Sequence, residues 1–128
     1  MGKAILAALA TAAIAKLFLI DVVIADGNSM EPTIRSGAIL IVNRLQYGLR
    51  LPGGNGHVLR WAFPREGDVV VFITPAGNAA VKRVVLLEGP ENEGMFMAKG
   101  DNQALSYDSR SFGPVSADAV IGRVLGVR

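Results

Sequence analysis

Asp68-Val69-Val70-Val71-Phe72-Ile73-Thr74-Pro75-Ala76-Gly77-Asn78-Ala79-Ala80-Val81-Lys82-Arg83-Val84-Val85-Leu86-Leu87 decides the fold. Its first part, through Ile73, is a short β-branched and aromatic run closed by Thr74-Pro75, which predicts a strand. Residues 75–78 supply turn chemistry and residues 79–87 a second apolar run, so the two runs predict a β-hairpin. In a strand alternate residues share a face, so Lys82, Val84 and Leu86 project together while Val81, Arg83 and Val85 project the other way.

The same signals recur on either side. Ala38-Ile39-Leu40-Ile41-Val42, bounded by Gly37 and Asn43, predicts a buried strand; Met95-Phe96-Met97-Ala98 a short one; residues 119–127 a last one. Residues 47–67 hold five Gly and two Pro among Leu49, Leu51, Val58, Leu59, Trp61 and Phe63, and are expected to form a long irregular excursion. Trp61 and Phe63, flanked by Arg60 and Arg65, suit either a membrane interface or the cap of a β core. Residues 88–94 and 100–114 are polar loops. Strands outnumber helices, so the expected fold is mainly β: a small antiparallel, barrel-like domain behind one N-terminal helix.

That helix is the mostly apolar stretch of residues 4–20, with Lys3 before it, Lys16 inside it and Asp21 closing it. Seventeen helical residues rise about 25 Å against a hydrocarbon core of about 30 Å, and extension through Ala25 reaches the required length. Lys16 then snorkels and Asp21 sits at the headgroups. A single membrane anchor over residues 1–25, with the body at 26–128, is the leading expectation; a cleaved secretory signal and a surface-lying helix are the alternatives. Lys3 on one flank, with Asp21 and Asp26 on the other, orients the N-terminus to the cytoplasm and the body to the extracytoplasmic side of the cell membrane.

Composition narrows the chemistry. The chain has 128 residues, no cysteine and one histidine, His57, in the Gly/Pro-rich stretch. Disulfides, thiolate metal sites and cysteine nucleophiles are excluded, and a catalytic metal is not expected. A net charge of +2 with no basic run carries no nucleic-acid footprint. A hydrolase built from these residues needs a base other than histidine.

Gly27-Asn28-Ser29-Met30-Glu31-Pro32-Thr33 and Val81-Lys82-Arg83-Val84 provide a serine and a lysine. A serine hydroxyl needs a base within hydrogen-bond reach, and lysine is a base only when burial keeps its amine neutral. Taken alone, Lys82-Arg83 is more often an exposed pair on a half-buried strand, and Ser29 a turn residue. Gly100-Asp101-Asn102 and Ser106-Tyr107-Asp108-Ser109-Arg110 add a polar loop able to orient the amine and brace the site. By itself it reads as a solvated turn.

In this order, Ser29-Met30-Glu31-Pro32-Thr33, Gly67-Asp68-Val69-Val70-Val71-Phe72, Val81-Lys82-Arg83-Val84-Val85 and Gly100-Asp101-Asn102 through Ser106, Asp108, Ser109, Arg110 and Gly113 resemble type I signal peptidases, membrane-bound Ser/Lys endopeptidases. Asn43, Tyr47 and Gly48 extend the likeness. The resemblance implies Ser29 as nucleophile, Lys82 as general base, Ser106 as the hydroxyl orienting the lysine, and the Ser29 backbone N–H as oxyanion donor. It implies Met30 in the pocket for small side chains, and Arg83 with Asp101 and Asp108 with Arg110 as bracing ion pairs. Gly27 stands where some members carry a second, side-chain oxyanion donor. Leu87-Glu88-Gly89-Pro90 departs from the family's Pro-Gly-Asp turn, and the short interval from Val84 to Lys99 leaves no room for a large second β domain.

The implied activity is cleavage of exported preproteins after small-x-small sites. Its partners would be preproteins and the lipid bilayer, without cofactor, metal or nucleic acid. A specialised peptidase maturing a conjugation or pilin protein, and a membrane-tethered β domain that binds peptides without catalysis, remain alternatives.

Overall fold

The computed structural model describes residues 1–50 and 56–127. The chain runs α1 (Gly2–Phe18), β1 (Ile20–Ile24), β2 (Ile39–Asn43), β3 (Gly48–Arg50), β4 (His57–Arg60), β5 (Val69–Ile73), β6 (Ala79–Leu86), β7 (Met95–Lys99), α2 (Ser109–Phe112), β8 (Val115–Ser116) and β9 (Val120–Val127). One antiparallel sheet has the order β1-β2-β9-β5-β6-β7-β8, and β3 and β4 form a separate two-stranded sheet. The mainly β expectation holds.

The β5–β6 hairpin is where the alternation put it, with Val70 opposite Lys82 and Val71 opposite Val81. Gly77 closes the turn at φ +92°, a conformation that costs a glycine little, and its N–H donates to Thr74 O at 2.8 Å. Alternation then sends neighbouring side chains into two different cores. Val70, Phe72, Val84, Phe96 and Val120 belong to one; Leu40, Val42 and Val71, with Met30 and Ile34 from the β1–β2 connection, belong to the other. Phe72 and Phe96 meet edge to face at a centroid distance of 6.4 Å.

Three expectations are corrected. The apolar helix does not extend through Ala25: it ends at Phe18, and Ile20–Ile24 pairs residue by residue with β2. β-branched residues dominate that segment, and the ladder with β2 pairs the backbone groups on one side of what is the sheet's edge strand. Among the described residues no helix is long and apolar enough to cross a membrane. The side chain of Lys16, which the anchor expectation used, lies among residues 15–18, outside the described side chains.

The second correction concerns residues 47–67. The stretch is not wholly irregular: Gly48 pairs with Arg60 and Leu49 with Leu59, while residues 51–55 lie outside the described residues. Gly48 is required by close approach, because a Cβ there would overlap the Leu59 carbonyl oxygen. Trp61 is exposed and its indole N–H donates to Leu45 O at 3.1 Å. His57 opens β4 beside Asp118. Thirdly, the polar loop of residues 100–114 contains the one-turn helix α2, whose start is capped by Asp108 accepting from the Arg110 N–H.

Candidate active site

Ser29 lies in the connection between β1 and β2. Two turn hydrogen bonds shape the segment, from Glu31 N–H to Asn28 O at 3.2 Å and from Ile34 N–H to Met30 O at 2.9 Å. Met30 and Ile34 are 4% and 2% exposed, so their burial fastens the turn to the core and leaves Ser29 at its surface.

Lys82 arrives from β6, 53 residues away in sequence, and its Nζ stands 2.7 Å from Ser29 Oγ. The residue is 6% exposed. Burial pushes the amine below the ordinary lysine value, and the Asp108 carboxylate opposes that shift. The strand periodicity that buries Lys82 sends Arg83 to the other face. There its Nε and Nη2 donate to Asp101 Oδ1 and Oδ2, both at 2.8 Å, in a bidentate pair. Arg83 also donates from Nη1 to Gly67 O at 2.8 Å.

Asp108 is fully buried. Burial alone would raise its carboxyl. Hydrogen bonds from Arg110 Nε (2.9 Å), the Gly100 N–H (2.8 Å), Ser106 Oγ (2.8 Å) and the Arg110 N–H (3.1 Å) outweigh it and hold the group well below the carboxylate range. The carboxylate thus organises the loop and sets the charge that Lys82 senses. Ser106 gives its proton to Asp108, and among the described residues no hydrogen bond joins it to Lys82. Its hydroxyl oxygen nevertheless lies at the site, because a Cβ on Gly100 would overlap Ser106 Oγ and stand 2.6 Å from Ser29 O.

A cleft of about 260 Å³ runs from the Ser29–Lys82 pair between the end of β1 and the start of β6. Val23, Ala25, Met30, Ile34, Ala80 and Val81 contribute to its lining, which is small and mostly apolar. β6 pairs with β7 only from Arg83 onward, so, among the described residues, residues 79–82 have a ladder to β5 and an open edge on the other side. Among the described residues no group of three or more His, Asp or Glu could hold a metal ion.

Two contributors carry no local signal in the sequence. Thr33 Oγ1 donates to Asp101 Oδ2 at 2.6 Å, which ties the serine-bearing turn to the Arg83–Asp101 pair. Gly100 is required by space rather than by backbone conformation. Met30, besides lining the cleft, accepts at Sδ from the Asp101 N–H at 3.4 Å.

A serine hydroxyl against a buried amine, at the head of an apolar cleft with a free strand edge, has the parts needed for acyl transfer from a peptide carbonyl. Comparison with known proteins agrees in kind. Residues 1–93 and 86–127 match the family described as signal peptidase, peptidase S26. The chain belongs to this family, among the type I signal peptidases. It is 34% identical to Signal peptidase I of Pseudomonas fluorescens over 90 residues, which cover 69% of this chain and 32% of that protein. Identity to Mitochondrial inner membrane protease subunit 1 of Xenopus tropicalis is 32% over 123 residues, covering 81% of this chain and 66% of that protein. Signal peptidase I of Bacillus caldolyticus is 26% identical over 156 residues, covering 85% and 79% respectively. The chain therefore spans about a third of the length of the Pseudomonas proteins it matches.

Proposed function

We propose that this chain is a membrane-anchored serine endopeptidase that removes signal peptides from exported preproteins after small-x-small sites, with Ser29 as nucleophile and Lys82 as general base. The observation that carries the reading is the 2.7 Å separation of Ser29 Oγ and Lys82 Nζ, with the lysine buried. A neutral amine accepts the Ser29 proton as Oγ attacks the scissile carbonyl carbon, and the carbonyl π pair moves onto oxygen. The Ser29 backbone N–H donates to that oxyanion. Collapse breaks the C–N bond, the leaving amine takes the proton from Lys82, and the signal peptide remains as an ester on Ser29. Water, deprotonated by Lys82, attacks the ester carbonyl; the acyl C–O bond breaks, Ser29 Oγ takes the proton back from Lys82, and the signal peptide leaves with a free carboxylate.

The substrate would enter extended, adding its main chain to the open edge of residues 79–82. Alternate side chains would then face the small apolar cleft, which favours alanine-sized residues. Met30 contributes to that floor. Ser106, Asp108 and Arg110 hold the lysine's surroundings, and Arg83 with Asp101 holds the serine-bearing turn.

In this reading α1 is the anchor. Ile5, Leu6, Leu9 and Ile14 all project exposed from it, an apolar surface suited to lipid. With β1 starting at Ile20, the helix reaches about 25 Å, and local thinning of the bilayer accommodates the shortfall. The N-terminus is cytoplasmic and the β domain, which begins with β1 at Ile20, lies outside.

Cleavage of a test preprotein by the full chain in lipid checks the chemistry. Ser29→Ala and Lys82→Ala should each abolish product, and wild-type turnover in either variant overturns the assignment. Profiling many preproteins separates a general enzyme from a specialised one. Carbonate extraction and protease protection test the anchor and its orientation.

A further inference from the structure

Both peptide units that flank Ser29 are held by one residue. The Asn102 backbone N–H donates to Ser29 O at 2.8 Å, and the Asn102 side-chain amide donates from Nδ2 to Asn28 O at 3.1 Å. A peptide unit is planar and trans here, so its N–H points opposite its C=O. The carbonyl of Asn28 is drawn toward the Gly100–Asn102 segment by Asn102 and is also bonded by the Glu31 N–H. The Ser29 N–H of the same unit is therefore turned away from that segment. Among the described residues it has no acceptor.

Asn102 itself has little freedom. Next to it Asp101 is fixed by Arg83, Thr33 and Met30, and two residues back the Gly100 N–H is bonded to buried Asp108. The side-chain amide thus projects from an anchored backbone, as a group that sets direction must.

From this geometry we infer that Asn102 is a positioning residue that aims the Ser29 N–H at the developing oxyanion and fixes the main chain from which Ser29 Oγ projects. The inference rests on Ser29 being the nucleophile. It matters more in this chain because Gly27 brings no side-chain hydroxyl, so the weight on the backbone donor is greater. A donor that stays in place but is mis-aimed loses part of the stabilisation that a well-aimed one gives a tetrahedral intermediate.

The experiment compares the full-length wild type, Asn102→Ala and Asn102→Asp in lipid, on a peptide with an Ala-x-Ala site and on a peptide aldehyde that adds to a nucleophilic serine. Asn102→Ala keeps the backbone bond to Ser29 O and removes the amide donor. Its kcat should fall roughly tenfold to a hundredfold with KM near the wild-type value. The aldehyde's inhibition constant should rise by the same factor as kcat/KM falls, because both read the oxyanion contact. The acid limb of the pH–rate profile should stay in place, because Lys82 is untouched. Asn102→Asp preserves size but replaces the donor with an acceptor, so its kcat loss should be at least as large.

Wild-type kcat in either variant overturns the role of Asn102. So does a loss spread equally over KM, pH limb and melting temperature, which would mark general loosening. A wild-type chain that neither cleaves the peptide nor binds the aldehyde removes the peptidase reading itself, and this inference with it.

Discussion

Gly100→Ala tests whether the site depends on its packing. Gly100 is not among the positive-φ glycines, so its backbone conformation accepts an L-residue and the methyl group is the whole perturbation. That methyl would overlap Ser106 Oγ and lie 2.6 Å from Ser29 O. An ordinary carbon–oxygen approach is about 3.3 Å, so the loop or the serine-bearing turn must retreat by roughly 0.7 Å. Where the serine-bearing turn gives way, a shift of that size stretches the 2.7 Å Ser29–Lys82 contact to as much as about 3.4 Å, beyond good hydrogen-bond geometry. Misplacement of about 1 Å costs about a hundredfold in rate, so kcat/KM should fall by tens to a hundredfold. Overpacking should also lower stability by about 1–3 kcal/mol. Peptide cleavage kinetics and thermal melts measure both. Ser106→Gly in the same chain removes the hydroxymethyl that the new methyl would strike and should restore part of the melting temperature. A Gly100→Ala protein with wild-type kcat/KM and melting temperature would refute the close-packing argument.

Lys82→Met should be inactive yet at least as stable as wild type at neutral pH, since it buries no amine; equilibrium denaturation and the cleavage assay read the two properties. In the wild type, activity should rise with pH through the lowered lysine value. The unfolded chain binds the lysine proton up to a higher pH than the native chain does. Wild-type stability should therefore gain with pH between the two values, a slope that Lys82→Met lacks. Asp108→Asn removes the charge that raises Lys82, so the acid limb of its pH–rate profile should move to lower pH. The native Asp108 carboxyl is depressed, so its contribution is present above the ordinary carboxylate value and fades as pH falls toward the native one. Acid titration of stability should show that fade in wild type and not in Asp108→Asn. Tyr47→Phe removes a 2.6 Å hydrogen bond to Asp68 from a residue that is 3% exposed. It should cost about 1 kcal/mol in a denaturant melt, with kcat/KM little changed.

The strands that were legible from sequence are those bounded by turn residues. Gly37, Asn43, Pro75 and Gly77 mark off β2, β5 and β6, and β-branched runs fill them. β1 was hidden because its apolar residues follow those of α1 with only Asp21 interposed, and what makes it a strand is pairing with β2, a tertiary event. The β3–β4 pair was masked by the glycines and prolines around it. α2 spans four residues, too few to show a helical period, and owes its start to the Asp108 cap.

The site divides differently. Alternation along β6 is a local property, and it sends Lys82 to one face and Arg83 to the other before any partner is known. What makes the lysine a base is not local, because its lowered affinity for a proton comes from packing around β6 and is tempered by Asp108 from a distant loop. Thr33 and Asp101 are 68 positions apart, and no spacing rule joins them. They meet because the β1–β2 connection and the segment after β7 are hydrogen-bonded to one another, Thr33 to Asp101 and Asn102 to the carbonyls of Asn28 and Ser29. A change at Thr33 should therefore disturb Ser29 through Asp101 and Arg83 even though neither touches the serine. The folded path of the chain, and not the neighbourhood of each motif, is what turns a common turn serine and a common strand lysine into a pair.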